Sequence, residues 1–147
     1  MKLVAGALLC AAAITASAET KVKMADLPPA VQTSVQAALK GGTLVGLSRE
    51  VENGKTFYEA ETTINGKTRD VTLDTTGVIV GVEEEVEMPA LPAPAREAIL
   101  KKAGTRKIAK VEAVSKDGKL VAYEATVSRG LKKSEIAVTP EGAPFKE

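Results

Sequence analysis

Apolar and polar residues alternate with a period of two along most of this chain. Turn dipeptides interrupt the alternation at regular places. From Leu47 onward Leu47, Arg49 and Val51 share one side, and Ser48, Glu50 and Glu52 take the other. This predicts a strand from Thr43 to Glu52. A second strand, Lys55 to Ile64, puts Tyr58, Ala60 and Ile64 on one face and Phe57, Glu59, Glu61 and Thr63 on the other. Asn53-Gly54 and Asn65-Gly66 flank it, and both dipeptides favour the positive-φ turns that join antiparallel strands. Lys67 to Leu73 is a third strand with Val71 and Leu73 inward. Val78 to Val82 is a short fourth, and Glu83-Glu84-Glu85 reads as its solvated end.

The period changes to that of a helix ahead of these strands. Asp26-Leu27-Pro28-Pro29 opens it, since proline at a first helical turn has no intrahelical hydrogen bond to lose. Val31, Val35, Ala38 and Leu39 then form one apolar stripe. Gly41-Gly42 stops the helix. Glu19 to Ala25 reads as a flexible polar lead-in.

The same plan then returns 64 to 65 positions later. Met88 to Pro94 is a proline-rich junction. Leu91-Pro92 matches Leu27-Pro28, and Ala95, Ala98, Ile99 and Lys102 take the places of Val31, Ser34, Val35 and Ala38. Gly104 ends this helix. A strand from Lys107 to Ser115 meets Asp117-Gly118 and returns with Tyr123, Ala125 and Val127. Tyr-Glu-Ala occurs in both copies. Arg129-Gly130 turns into a strand from Leu131 to Thr139 with Ile136 and Val138 inward, and Pro144 interrupts whatever follows. The expected fold is α+β, as two tandem α-β-β-β(-β) repeats, 26–87 and 88–147, each an antiparallel sheet with one helix on one face.

The first 18 residues fit none of this. Met1-Lys2 is a short basic start, Leu3 to Ile14 an apolar run, and Ala16-Ser17-Ala18 a small-residue cleavage site. Together they read as a secretory signal peptide cut after Ala18. The run is too short for a membrane anchor, which needs about 20 apolar residues. Cys10 is poorly placed for lipid attachment, because Ala7-Leu8-Leu9 precedes it. Cleavage removes the single cysteine of the chain and leaves no disulfide or thiol chemistry.

Charge bears on partners. Residues 22–87 carry 6 Lys+Arg against 11 Asp+Glu, and residues 88–147 carry 12 against 7. The net charge of +1 argues against nucleic acid, which demands a basic surface. The opposed halves face each other or allow a head-to-tail homodimer.

Catalytic chemistry finds little support. There is no histidine, which removes Ser-His pairs, His-ligated zinc and imidazole acid–base work. Glu59 and Glu61 are paired carboxylates, but alternation places both on an exposed face where nothing separates their pKa values. Asp74 and the Glu83–Glu87 run offer oxygen ligands for Ca²⁺ without EF-hand spacing. No cofactor or metal site is expected, and the chain is expected not to be an enzyme.

If each helix covers one sheet face, the other is open. It carries Ser48, Glu50, Glu52, Phe57, Glu59, Glu61 and Asp70 in the first copy. In the second it carries Lys110, Glu112, Glu124, Thr126, Lys133 and Glu135. Phe57 is its one aromatic anchor for a docked protein.

The Leu-Pro helix start, the Asn-Gly or Asp-Gly turn, the Tyr-Glu-Ala strand and the Asp74-to-Gly77 turn together resemble the PepSY-like family. They look closer still to its tandem group related to β-lactamase-inhibitor protein. The resemblance covers about residues 25–147. It implies an exported bacterial α+β domain, and tandem relatives bind proteins on the open sheet face. Related domains occur in propeptides of secreted metallopeptidases, with inhibitory or chaperoning roles. The tandem inhibitor's disulfides have no counterpart here, and its aromatic-rich face is reduced to little more than Phe57. The expectation is a periplasmic or secreted, non-catalytic binding module that restrains a peptidase or other hydrolase, free of the membrane after cleavage. The alternative is a sensor or carrier that binds a small molecule or ion between the repeats.

Overall fold

The computed structural model describes residues 19–146; the expected signal peptide and Cys10 lie outside them. The architecture is α+β: a single eight-stranded antiparallel sheet with two helices. The strands are β1 (Thr20–Lys21), β2 (Thr43–Glu52), β3 (Lys55–Ile64), β4 (Lys67–Asp74), β5 (Ile79–Glu85), β6 (Lys107–Lys116), β7 (Lys119–Arg129) and β8 (Lys132–Val138). They lie in the sheet in chain order. Helix α1 (Pro29–Ala38) precedes β2, and α2 (Ala93–Ala103) precedes β6.

Two-residue turns set this order. Asn53, Asn65 and Asp117 have φ near 50°, and each is followed by a glycine at φ 74–79°. Positive φ at both central residues matches the turn twist to the twist of the strands and fixes the register of three hairpins. The register then decides which side chains meet. Leu47, Ala60 and Val71 are aligned across β2–β4, as are Val111, Ala125 and Ile136 across β6–β8. These are the residues the helices cover.

The core has two centres. Leu27, Val31, Val35 and Ala38 pack on Tyr58, Ala60, Val71 and Leu73. Leu91, Ala95, Ile99 and Ala103 pack on Tyr123, Ala125, Val127, Ile136 and Val138. Burying each of the larger aliphatic side chains stabilises the fold by roughly 1.5–3 kcal/mol. The stripe on α2 therefore ends on Ala103, not on Lys102, which is exposed: a helix repeats its face every 3.6 residues, so Ala95, Ile99 and Ala103 are in line.

Three stretches differ from the sequence reading. Glu19 to Ala25 is tied down: Thr20 and Lys21 pair with Arg49 and Ser48, Val22 donates to the Leu47 carbonyl at 3.1 Å, and Met24–Asp26 forms a 3-10 turn. The chain beyond β8 folds back on its edge, with Val138 bridged to Pro144 and Phe145 donating to the Ala137 carbonyl at 3.1 Å. Most consequentially, β5 runs on through Glu83, Glu84 and Glu85. It pairs with β6 from Gly81↔Lys116 to Glu85↔Glu112, so the two halves share one sheet. The acidic run is the joint of the molecule, because a strand's backbone pairs whatever its side chains are.

Candidate functional site: the open sheet face

Both helices lie on the same side of the sheet. Val82 packs into the first core and Ala113 into the second, and along β5 and β6 these residues have the same parity. The other side carries no helix. Every residue the sequence assigned to an open face belongs to it: Glu50 pairs with Phe57, Ser48 with Glu59, and Glu61 with Asp70, while Glu112 pairs with Glu124 and Thr126 with Glu135. Lys110 is opposite Thr126, and Lys133 opposite Ser128. Because the sheet is continuous, two arrays expected on separate repeats form one field.

The joint supplies what the sequence reading missed. Glu83 pairs with Asp70 on one side and Val114 on the other, and Glu85 pairs with Glu112. A stripe of carboxylates thus crosses five strands: Glu61 on β3, Asp70 on β4, Glu83 and Glu85 on β5, Glu112 on β6 and Glu124 on β7. Continuing the alternation from Val82 was the signal that could have found Glu83 and Glu85; ending the strand at Val82 hid them.

This face is not simply solvated. Glu112 and Ser48 are each only 5% exposed, and Val114 and Ala122 are buried without belonging to either core. Burial has an electrostatic consequence, since a carboxylate removed from water holds its proton to higher pH. Burial, reinforced by Asp70 and Glu61, pushes Glu59 up to about 7. Burial with Glu112 pushes Asp70 up to about 6, against a counter-pull from Lys110. Burial with Glu124 and Glu112 pushes Glu83 up to about 8. The expectation that Glu59 is an exposed carboxylate is corrected: burial in the sheet raises it. The neighbours that shift it come from β4 as well as from its own strand.

Lys110 is the cation inside the field. Its Nζ is 2.6 Å from Glu112 Oε1. Burial alone would lower its pKa, but the Glu112 hydrogen bond and the surrounding carboxylates raise it. Glu112 also accepts from Thr68 Oγ1 at 3.3 Å, and Glu85 accepts from the Thr68 amide at 3.0 Å. Glu135, at the far end, is raised by burial and Glu112.

Beside the stripe, at the end of the sheet that bears the β2–β3 and β6–β7 turns, is a groove of about 610 Å³. Phe57, Thr72, Gly81 and Val114 line it, together with Glu50, Glu83 and Lys116. Phe57, the expected aromatic anchor, is half-buried there. Gly81 keeps the floor low, because a Cβ at this position would stand 3.4 Å from Thr72 Cβ.

The face can do limited chemistry. Carboxyls that change protonation near neutral pH can donate or accept hydrogen bonds and bind cations. Among the described residues no three acidic groups converge closely enough to hold a metal ion. Asp74, weighed as a Ca²⁺ ligand, is occupied by its own turn. Its Oδ1 accepts from Thr76 Oγ1 at 2.7 Å, the Thr76 amide at 2.8 Å and the Val78 amide at 3.0 Å. Those bonds, the Thr76 hydroxyl foremost, hold its carboxyl below the usual range.

No protein-family model matches this chain, and no curated protein does. Solved structures do. A proposed periplasmic protein from Bacteroides eggerthii superposes with a TM-score of 0.64 at 17% identity, covering 82% of this chain and 86% of its own. A DUF2874 family protein from Bacteroides uniformis gives 0.61 at 18% identity over 81% and 86%. A BLIP-like protein from Bacteroides fragilis gives 0.56 at 17% identity over 81% and 83%. At these identities the likeness establishes the fold. Among the described residues no helix is long and apolar enough to cross a membrane.

Proposed function

We propose that this chain is a non-catalytic binding module, exported to the periplasm, that engages a protein partner through the open sheet face and restrains a secreted or periplasmic hydrolase. The observation that carries this reading is the face itself. It is a helix-free surface across both halves of one sheet, with a half-buried aromatic side chain beside partly desolvated carboxylates. A merely solvated face would hold its carboxylates in water. The PepSY-like resemblance, the tandem reading of residues 26–87 and 88–147 and the BLIP-like neighbour support it, as does the absence of histidine. Interface energy concentrates in a few anchors, aromatic residues prominent among them, so Phe57 is the residue to remove.

The test is a pull-down from a periplasmic fraction with the mature protein and with Phe57→Ala. A captured hydrolase whose retention drops at least tenfold in the variant supports the proposal. Undiminished capture by Phe57→Ala would remove this face from consideration.

The groove favours a second reading. Its lining comes from both halves, from Glu50 through Glu83 in the first and from Val114 to Asp117 in the second, which suits a small ligand held between them. Ligand-dependent thermal stabilisation without any captured protein is the outcome that would select this reading.

A further inference from the structure

We propose that the groove of the open face takes a planar, cationic aromatic molecule, laid flat over the bare backbone at Gly81. This rests on the second reading above, a small ligand held between the two halves, and names the chemical class of that ligand.

Gly81 is the floor of the groove. It is an interior residue of β5, paired with Thr72 on β4 and Lys116 on β6, and it belongs to the helix-free side of the sheet. Its φ is not in the left-handed region, so the backbone does not require glycine. A Cβ would meet Thr72 Cβ at 3.4 Å, an ordinary contact, so space does not require it either. A strand glycine gives up more chain entropy on folding than any other residue and packs nothing in return. In a strand interior it marks a bulge or the close approach of a ligand. Both are at hand here. Val80 is an extra residue on β5 against the Thr72–Leu73 step, and Val121 an extra residue on β7 against the Val114–Ser115 step. Bulges of this kind re-aim side chains beside binding sites.

The walls specify a ring. Phe57 on β3 and Val114 on β6 flank the glycine floor, the first half-buried and the second buried. A ring over a sheet glycine restores the packing that the missing side chain forgoes. Rings also pack offset or edge-to-face on an aromatic wall, and a cation gains further from the face of one. The volume of about 610 Å³ is in the range of small-molecule sites. Charge then selects among rings. Among the described residues the lining holds five carboxylates, from Glu50 to Asp117, and two lysines, Lys55 and Lys116. That excess of negative charge attracts a cationic ring and repels an anionic one.

The test uses a chain of residues 19–147 and three probes: proflavine, a planar tricyclic cation; 9-anthracenecarboxylate, a planar tricyclic anion; and spermidine, a cation without a ring. The two fluorescent rings are followed by anisotropy at pH 7, and spermidine by its displacement of proflavine. Proflavine is expected to bind saturably, one per chain, and the anthracenecarboxylate at least tenfold more weakly. A tenfold molar excess of spermidine is expected to leave proflavine bound. Gly81→Val changes no charge and fills the floor. It is expected to weaken proflavine binding at least tenfold, and Gly81→Ala to weaken it less, both with a urea midpoint unchanged or raised. Phe57→Ala, expected to weaken binding at least fivefold, is the second variant should Gly81→Val fail to fold. No saturable binding of proflavine, equal binding of the anion, or full affinity in Gly81→Val overturns the proposal. So does a lowered urea midpoint in Gly81→Ala, since the glycine would then serve the bulge alone. Displacement by spermidine, with binding still lost in Gly81→Val, leaves the groove a small-ligand site and overturns only its preference for rings.

Discussion

Gly77 and Gly142 are 65 positions apart and meet the same constraint. Both have φ of +85°, and a Cβ on either would stand within 2.7 Å of a backbone carbonyl oxygen: Ala30 for the first, Pro94 for the second. Each turn is thus pressed onto the first turn of a helix, so the glycine is required for space as well as for its dihedral angle. Gly118 provides the contrast, with φ of +74° and nothing within 4 Å. Gly77→Ala is expected to cost about 2–4 kcal/mol in urea denaturation, against about 1–2 kcal/mol for Gly118→Ala, where only the left-handed backbone is penalised. Equal costs would mean that the contact with α1 contributes nothing. The helix C-termini are less alike. Arg69 reaches the Ala38 carbonyl of α1 from β4, whereas α2 is met by Arg106 from the loop that follows it, Nε donating to the Ala103 carbonyl at 3.1 Å. Arg106 also donates to Ser134, which stands 65 positions after Arg69. A guanidinium at a helix C-terminus complements both the bare carbonyls and the dipole. Nothing in the hydropathy pattern announces such a contact, because the residues come together only through the fold.

Among the elements, β5 was the hardest to read and matters most. The hairpins were legible, since their turn dipeptides prescribe the backbone and their alternation prescribes the faces; β2 and β3 have the bounds the sequence suggests. Alternation also placed Glu50, Phe57, Glu59, Glu61 and Asp70 on one face. It could not show that Glu59 is desolvated, because that depends on strands brought alongside by register. Nor could it show that three consecutive glutamates form a strand, since such a run has the composition of a solvated end. Removing β5 exposes the edge of β6, with its row of unpaired backbone groups. A chain of residues 88–147 alone is therefore expected to lose its cooperative thermal transition, or to melt at least 10 °C below a chain of residues 19–147. An equally high, cooperative transition would show that the joint is dispensable.

At the scale of the whole molecule, the desolvated carboxyls reverse the usual dependence of stability on pH. Glu59, Asp70 and Glu83 hold their protons in the folded state to about 7, 6 and 8, above their ordinary values of 4.5, 3.8 and 4.5. Between pH 4 and 8 the folded state therefore binds more protons than the unfolded chain, and stability falls as pH rises. After allowance for solvent screening, the loss from pH 5 to 8.5 is expected to be on the order of 2 kcal/mol, read as a falling urea midpoint. Glu59→Gln/Glu83→Gln should flatten that slope, and a midpoint that rises over this range would contradict the assignment of these groups as buried.

The strand order has a kinetic corollary. With β1 to β8 laid side by side in chain order, each strand finds its neighbour next to it in sequence, and two pairings must wait for an intervening helix: the two-residue β1–β2 pairing across α1 and the longer β5–β6 pairing across α2. Nearby partners keep the entropy lost on closing each loop small, and proteins rich in local contacts cross their folding barrier quickly. The slow event in refolding is then the zipping of β5 to β6.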